Sequence, residues 1–182
     1  MTVYEEETII LTGDNGVGKS TLLKYIFQAK ERKEFQWNVA KDKERISYLG
    51  HELGLYSSLS LKENLSYFRS IFKNPISSGE EKNIIEELGL SRRYHDPIYT
   101  YSEGMKRKAG IIRAFLANPA LLLLDEPFNG LDMNSSNVFV DHLNSIKKAM
   151  SIIIVSHDIE KIRSFSERHI QIKNGSVVEF ND

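Results

Sequence analysis

A glycine-rich segment near the start of the chain has the residue types and spacing of a phosphate-binding loop. The segment reads Gly13-Asp14-Asn15-Gly16-Val17-Gly18-Lys19-Ser20, with Thr21 next. In this pattern the glycines let backbone N–H groups turn toward phosphate oxygens, the lysine reaches the β- and γ-phosphates, and the serine hydroxyl binds Mg²⁺. The alternative is a glycine-rich turn that happens to precede a lysine. The apolar run before Gly13 favours the phosphate site, because the pattern requires a strand there.

Two carboxylates follow a second apolar run. The segment LLLLDE, residues 121–126, ends in Asp125 and Glu126. If this strand ends beside the phosphate loop, Asp125 can hold Mg²⁺, and Glu126 can orient or deprotonate a water that attacks the γ-phosphate. Taken alone, the pair is more typical of a helix N-cap or a solvated loop. The upstream loop reverses that preference, and together the two segments predict hydrolysis.

The elements that would position these residues alternate between strand and helix. Apolar runs predict buried strands at residues 7–12, 46–50, 120–125 and 151–156. Helices are expected from Lys19 to about Ala29, from about Asn134 to Met150, and after His157. RHIQIK and SVVEF, joined by Asn174-Gly175, predict a hairpin. The charge-rich residues 30–45, around FQWNV, predict a peripheral strand or hairpin.

The middle of the chain has helical patterning instead. Ser60 and Glu63 have capping-box spacing at the start of an apolar-faced helix. A second helix is expected from about Gly79 to Leu88, and a third from Ser102 to Asn118. We therefore expect one domain, 1–182, with a core at about 1–50 and 119–182 and a helical subdomain at about 51–118.

The composition excludes several function classes. In 182 residues, 24 Lys and Arg balance 25 Asp and Glu, so no basic field favours nucleic acid. Without cysteine there are no disulfides or thiolate metal sites. No signal peptide is evident, and no apolar run approaches the ~18 to 20 residues of a membrane span. Residues 106–108, Lys-Arg-Lys, are expected to form a solvated helix face rather than a nucleic-acid contact.

Three further segments follow the phosphate loop in a characteristic order. They are YSEGMKRK at 101–108, LLLLDEPFNGLD at 121–132 and SHD at 156–158. This set resembles the motifs of ATP-binding-cassette (ABC) ATPases over residues 8–175. The resemblance implies an α/β fold: a P-loop NTPase (RecA-like) core with a largely parallel sheet, a helical subdomain insertion and a shortened N-terminal antiparallel β-subdomain.

The resemblance also implies a role for each motif. Residues 13–20 are Walker A, Asp125 ends Walker B, Glu126 is the catalytic carboxylate and His157 the switch histidine. The D-loop spans residues 129–132 and ends in Asp132. The signature motif is Ser102, Glu103, Gly104 and Met105, where Glu103 replaces a frequent glycine.

The implied cofactors and partners follow from how such cassettes work. ATP and Mg²⁺ would bind between two copies, or between this chain and a homologous cassette, with Walker A of one facing the signature of the other. A separate transmembrane permease would receive the energy, so the chain is expected at the cytoplasmic face of the membrane as a peripheral subunit. No nucleic acid is expected.

Two departures from the family pattern carry their own expectations. His51 stands at the position where family members have the Q-loop glutamine, which contacts Mg²⁺ or the attacking water. Only a neutral imidazole can accept a hydrogen bond from a metal-bound water. We therefore expect the coupling between the nucleotide site and the helical subdomain to be pH-sensitive. Only twelve residues precede Gly13, and Tyr4 is the one aromatic among them. Because base stacking on an aromatic ring contributes to affinity, we expect weak nucleotide binding with poor base discrimination.

Within the family, FQWN, YLGHELG and DEPF resemble the ATPase of the cytochrome c maturation haem exporter, and YSEGM resembles drug and lantibiotic export ATPases. We therefore expect an ATP-hydrolysing exporter subunit, with haem as one candidate cargo. The alternatives are a soluble cassette for assembly or repair, a small-molecule P-loop kinase, and a non-catalytic nucleotide-binding cassette.

Overall fold

The apolar runs of the sequence form the strands of a six-stranded sheet. The computed structural model describes residues 2–28, 46–163, 166–173 and 176–180. Within these ranges the strands are β1 (Thr8–Gly13), β2 (Ile46–Leu49), β3 (Leu121–Asp125), β4 (Ser151–Val155), β5 (Arg168–Lys173) and β6 (Ser176–Phe180). The predictions for residues 30–45 and for the turn at Asn174-Gly175 lie outside the described residues.

The order of the strands brings the predicted site residues to one edge of the sheet. The order is β2-β3-β4-β1-β5-β6, and neighbouring strands are parallel except β5 and β6, which form the predicted antiparallel pair. Val155 pairs with Leu11 of β1 and with Asp125 of β3. The segments that follow β1, β3 and β4 therefore leave the sheet at the same edge. The predicted largely parallel α/β fold is confirmed.

The described ranges contain six α-helices. They are α1 (Lys19–Gln28), α2 (Leu61–Ile71), α3 (Ser78–Glu87), α4 (Glu103–Leu116), α5 (Met133–Ile146) and α6 (Ile159–Arg163). Within those ranges every helix falls short of the length and hydrophobicity that a bilayer crossing requires.

The chain divides into two compact units. The first contains the described residues within 1–51, 119–127 and 142–182, and the second contains 52–118 and 128–141. The sequence predicts a core at about 1–50 and 119–182; in the structure the D-loop and the start of α5 group with the helices of the second unit.

The first unit has its core between α1 and the sheet. Leu23 and Ile26 of α1 are buried against Ile9, Leu11 and Leu123 of the sheet. This packing fixes α1 against β1, so the loop between them is held at both ends. Burying side chains of this kind stabilises the fold by about 1.5–3 kcal/mol each.

The second unit owes its helix starts to local sequence rules. Ser60 begins α2 and Ser77 begins α3, and each forms a complete capping box with a glutamate three residues on, Glu63 and Glu80. These hydrogen bonds from the serines lower the pKa of both glutamates. The capping box predicted at Ser60 is confirmed, and α4 begins at Ser102 as expected.

Candidate functional site

The glycine loop between β1 and α1 requires its glycines for two different reasons. A Cβ on Gly13 would lie 2.6 Å from the carbonyl oxygen of Ile172 on β5, so this position is closed to any side chain. Gly16 and Gly18 have open space around them but φ angles of +79° and +106°, which L-residues rarely adopt. The loop is therefore anchored to the sheet at its start and free at its tip.

Lys19 bends back over this loop. Its side chain is buried, and Nζ donates hydrogen bonds to the carbonyl oxygens of Gly13 at 2.8 Å and Asp14 at 3.0 Å. A cavity of about 280 Å³ adjoins the loop and is lined by Gly13, Asp14, Lys19 and His157, among others. The lysine thus places a positive charge where the loop meets an open space.

Two residues outside the predicted motifs line the same cavity. They are His169 and Gln171 of β5. His169 Nε2 lies 2.8 Å from the hydroxyl of Thr12, directly before the loop. The signal was present in the sequence, because polar residues at alternate positions of an apolar strand share one face.

Asp125 ends β3 and is a buried residue. The Tyr48 hydroxyl, from the neighbouring strand β2, donates a hydrogen bond to Asp125 Oδ2 at 3.2 Å. Asp125 is recognisable from its place in the sequence and Tyr48 is not, because nothing local relates two positions so far apart in the chain.

Glu126 occupies a strained backbone conformation. Its φ is +49°, uncommon for a residue with a side chain, and its N–H donates to Val155 O at 2.8 Å. The His157 N–H donates to Glu126 Oε2 at 3.3 Å, and His157 Nε2 lies 3.3 Å from Oε1. The structure therefore brings the predicted acid and the predicted histidine into contact.

The predicted signature residues lie in the second unit. Ser102 Oγ accepts a hydrogen bond from the Met105 N–H at 3.3 Å and so caps α4. A Cβ on Gly104 would lie 2.6 Å from the carbonyl oxygen of Gly130, so the signature glycine packs directly on the D-loop.

Asp132 caps the start of α5. It accepts hydrogen bonds from the Ser135 N–H and hydroxyl, each at 2.8 Å, and these bonds lower its pKa. Lys108 Nζ of α4 lies 3.6 Å from Asp132 Oδ2. The D-loop and the signature helix are therefore linked by an ion pair as well as by the contact of their glycines.

The expectation that residues 106–108 form a solvated face is wrong for Arg107, which is buried. The helical period explains this, because Arg107 shares a face with the buried residues Gly110, Ile111 and Ala114 of α4. Lys106 pairs with Glu103 at 2.7 Å.

His51 and Tyr4 are two further residues that the sequence offers as contacts of the nucleotide or its metal. His51 is exposed two residues after β2. Tyr4 lies at the edge of the sheet opposite to the phosphate loop: its carbonyl accepts from Ser151 Oγ at the start of β4, and its ring lies 6.0 Å from the Arg168 guanidinium at the start of β5. Tyr4 is therefore remote from Gly13.

Comparison with known proteins decides the family. A family model described as ABC transporter matches residues 1–129. The chain belongs to the ABC transporter family. It is an ABC ATPase, the ATP-binding subunit of a transporter, and hydrolyses ATP in a cycle coupled to transport. Family membership removes the small-molecule kinase from the alternatives.

Curated ABC proteins show how the chain relates to individual members. It is 32% identical to the ABC transporter ATP-binding protein NatA of Bacillus subtilis, covering 98% of this chain and 78% of NatA. The cytochrome c biogenesis ATP-binding export protein CcmA of Bartonella henselae is 32% identical over 78% of this chain and 72% of CcmA. The zinc import ATP-binding protein ZnuC of Buchnera aphidicola is 33% identical over 91% and 69%. The chain spans only 61% and 59% of two other Bacillus subtilis ABC relatives.

Solved ABC structures share the fold. One described as the ATP-binding subunit of an ABC transporter superposes with a TM-score of 0.84 at 26% identity, covering 99% of this chain and 81% of that one. The cassette MJ0796, described as a dimer in a post-hydrolysis state bound to ADP and Pi, gives a TM-score of 0.78 at 23% identity over 100% and 89%. The predicted family and cassette fold are thus confirmed.

Proposed function

We propose that two copies of this cassette close on two molecules of MgATP and that hydrolysis lets them separate. This cycle would drive a membrane permease that is a separate polypeptide. The observation that carries the catalytic part is the contact between Glu126 and His157 at the edge of the sheet where the phosphate loop leaves β1. A carboxylate that is held by a backbone N–H and has an imidazole beside it can orient and deprotonate a water.

The phosphate loop is proposed to hold the nucleotide. The backbone N–H groups of residues 14–18 and the start of α1 supply donors and a positive dipole for phosphate oxygens, with Thr21 in the first turn. Lys19 would exchange the carbonyls of Gly13 and Asp14 for the β- and γ-phosphates, since its ammonium keeps at most three hydrogen bonds.

The residues present fit Mg²⁺. The described part of the chain contains no group of three or more His, Asp or Glu side chains able to hold a metal. Mg²⁺ usually takes one or two protein ligands together with substrate phosphates and waters, and the buried Asp125 at the end of β3 offers a carboxylate oxygen of the kind that this ion prefers. Asp125 and the exposed Ser20 hydroxyl would be those ligands, with His51 near the metal-bound water. Bound Mg²⁺ would neutralise charge on the phosphates.

The signature motif is proposed to complete the site of the other copy. Ser102, the α4 N-terminus behind it and the Gly104 and Met105 N–H groups offer a second phosphate-binding surface. Asp132 would approach the same nucleotide from the D-loop. The dimer described for MJ0796, a cassette of the same fold, supports this arrangement.

The permease is proposed to dock on the second unit, which would hold the chain at the cytoplasmic face of the membrane. In support, Tyr56, Tyr67 and Ile71 expose large apolar side chains around α2, with exposed fractions of 47%, 42% and 55%. Exposed apolar residues that cluster in this way are typical of protein interfaces.

Export is the proposed direction, with haem as one candidate cargo. It is supported by His51 within YLGHELG and by YSEGM, while similar identities to CcmA and to ZnuC show that overall similarity does not separate export from import. The genes beside this one test the proposal. A permease gene among cytochrome-assembly genes would support haem export, and a metal-uptake operon would contradict it.

The decisive experiment replaces one atom of the proposed base. Glu126→Gln should bind MgATP, release almost no phosphate and accumulate as an ATP-trapped dimer in size-exclusion chromatography, because closure is intact and hydrolysis is not. A wild-type protein that binds ATP without phosphate release would instead support the non-catalytic cassette. Turnover that never passes through a dimer would support a cassette that works without a permease.

A further inference from the structure

Tyr48, which has no role in the proposed function, contacts the proposed magnesium ligand Asp125. It lies on β2, where it pairs in register with Leu123 of β3, two residues before Asp125. From this position its hydroxyl reaches forward to Asp125 Oδ2 at 3.2 Å. Its ring packs on Phe27 of α1, with 5.7 Å between the ring centroids. The phenol is therefore held between the helix that follows the phosphate loop and the strand that ends in the acid.

We propose that Tyr48 is a positioning residue for Mg²⁺ binding, which acts by fixing the orientation of the Asp125 carboxylate. The inference rests on the proposed function of Asp125 as a magnesium ligand. A carboxylate at the end of a strand can rotate about its last torsion, and a donor on Oδ2 selects one orientation. The remaining lone pairs of the Asp125 carboxylate then point in a defined direction, so the ligand is oriented before the metal binds. Partners that orient ligands in this way commonly contribute 10- to 100-fold to metal affinity.

Gly50 makes this placement possible. A Cβ on Gly50 would meet the Tyr48 ring, 2.5 Å from Cζ and 2.6 Å from Cε1. Because position 50 has no side chain, the Tyr48 ring can extend forward over the backbone just after β2, directly before His51. Because the clash would involve the end of a flexible side chain rather than backbone, alanine at position 50 should displace the phenol and leave the sheet intact.

Two variants remove the contact by different routes. Tyr48→Phe deletes the hydroxyl and keeps the ring on Phe27, while Gly50→Ala keeps the hydroxyl and moves it away from Asp125. Tyr99→Phe is the matched control, since Tyr99 is among the most exposed tyrosines of the described residues, at 66%. Calorimetric binding of ATP is measured in EDTA and at a series of Mg²⁺ concentrations, which separates metal affinity from nucleotide affinity without relying on turnover.

We expect Tyr48→Phe and Gly50→Ala each to raise the Mg²⁺ concentration needed for half-maximal tightening of ATP binding by about tenfold. ATP affinity in EDTA should equal that of wild type, and Tyr99→Phe should match wild type in both conditions. An unchanged Mg²⁺ requirement in Tyr48→Phe would overturn the proposal. So would equal losses with Mg²⁺ and with EDTA, because a purely structural role predicts that result.

A third variant separates this proposal from the one on which it rests. Asp125→Asn should itself weaken the response to Mg²⁺, and adding Tyr48→Phe to it should change nothing further, because the oriented carboxylate is already gone. If Asp125→Asn responds to Mg²⁺ like wild type, the assigned role of Asp125 is wrong. If Asp125→Asn loses the response and Tyr48→Phe does not, only the role of Tyr48 is wrong.

Discussion

His157 contacts both oxygens of the Glu126 carboxylate: its backbone N–H donates to Oε2 at 3.3 Å, and its imidazole Nε2 lies 3.3 Å from Oε1. The two residues follow adjacent parallel strands, β3 and β4, so the register of the sheet sets this contact. The Glu126 N–H also bonds to Val155 O, which ties the strained φ of the glutamate to the strand that leads to His157. The geometry of the proposed base therefore depends on the histidine.

Replacing His157 by alanine tests this dependence. The backbone N–H remains and only the imidazole is lost, so the carboxylate keeps one restraint and loses the other. We expect kcat to fall by about 100-fold, within the range for groups that assist proton transfer, while ATP affinity changes by less than about twofold. Phosphate release and ATP binding are measured on the same preparation. The control is His95→Ala, at an exposed histidine of the second unit. If the kcat of His157→Ala is as high as that of His95→Ala, the proposed role of His157 is wrong.

Gly104→Ala tests the contact between the signature motif and the D-loop. A Cβ at this position meets Gly130 O at 2.6 Å, and two backbones must move apart to admit it. Overpacking of this kind costs about 1–3 kcal/mol. We expect ATP binding to the isolated protomer to persist, and the ATP-trapped dimer of the Glu126→Gln background to weaken by about tenfold or more.

Gly79 offers a closely matched control for that substitution. It is the second residue of α3, as Gly104 is of α4, and both helices are capped by a serine. A Cβ on Gly79 has only Ser77 Oγ within 4 Å, at 3.9 Å. Gly79→Ala should leave dimerisation unchanged and stabilise α3 by about 0.5–1 kcal/mol. If both variants dimerise normally, the packing of Gly104 on Gly130 has no role in closure.

Features governed by neighbours in the chain could be predicted from the sequence. The phosphate loop, the capping box at Ser60 and the cap at Ser102 depend on residues within one helical turn, and each is present. The contacts between Tyr48 and Asp125 and between Gly104 and Gly130 could not be predicted, because they join distant segments through register and packing that no local pattern encodes. The burial of Arg107 was predictable from the helical period, but its charged neighbours suggested a solvated face.

Tyr4 gives a third prediction, because its position favours a structural contact over stacking on the adenine. Its ring lies against Arg168 at the edge of the sheet opposite to the phosphate loop. Tyr4→Ala should therefore leave ATP and GTP affinities within about twofold of wild type. It should lower the free energy of unfolding by about 0.5–1 kcal/mol, through loss of the contact between ring and guanidinium. A tenfold loss of ATP affinity would place the adenine on Tyr4 and contradict this assignment.

Asp132 gives a prediction for pH. Hydrogen bonds from the Ser135 N–H and hydroxyl lower its pKa below the ordinary value of 3.8. Since the folded state favours the ionised form, this contribution to stability is complete above about pH 4 and is lost as the pH falls through the lowered value. Asp132→Asn keeps a capping oxygen and removes the charge at the N-terminus of α5, a difference of about 0.5 kcal/mol at an exposed site. Urea unfolding at pH 7, pH 5 and pH 3 should show wild type the more stable at the first two values and the difference shrinking at the third. A difference that stays constant with pH would mean that the Asp132 charge does not stabilise α5.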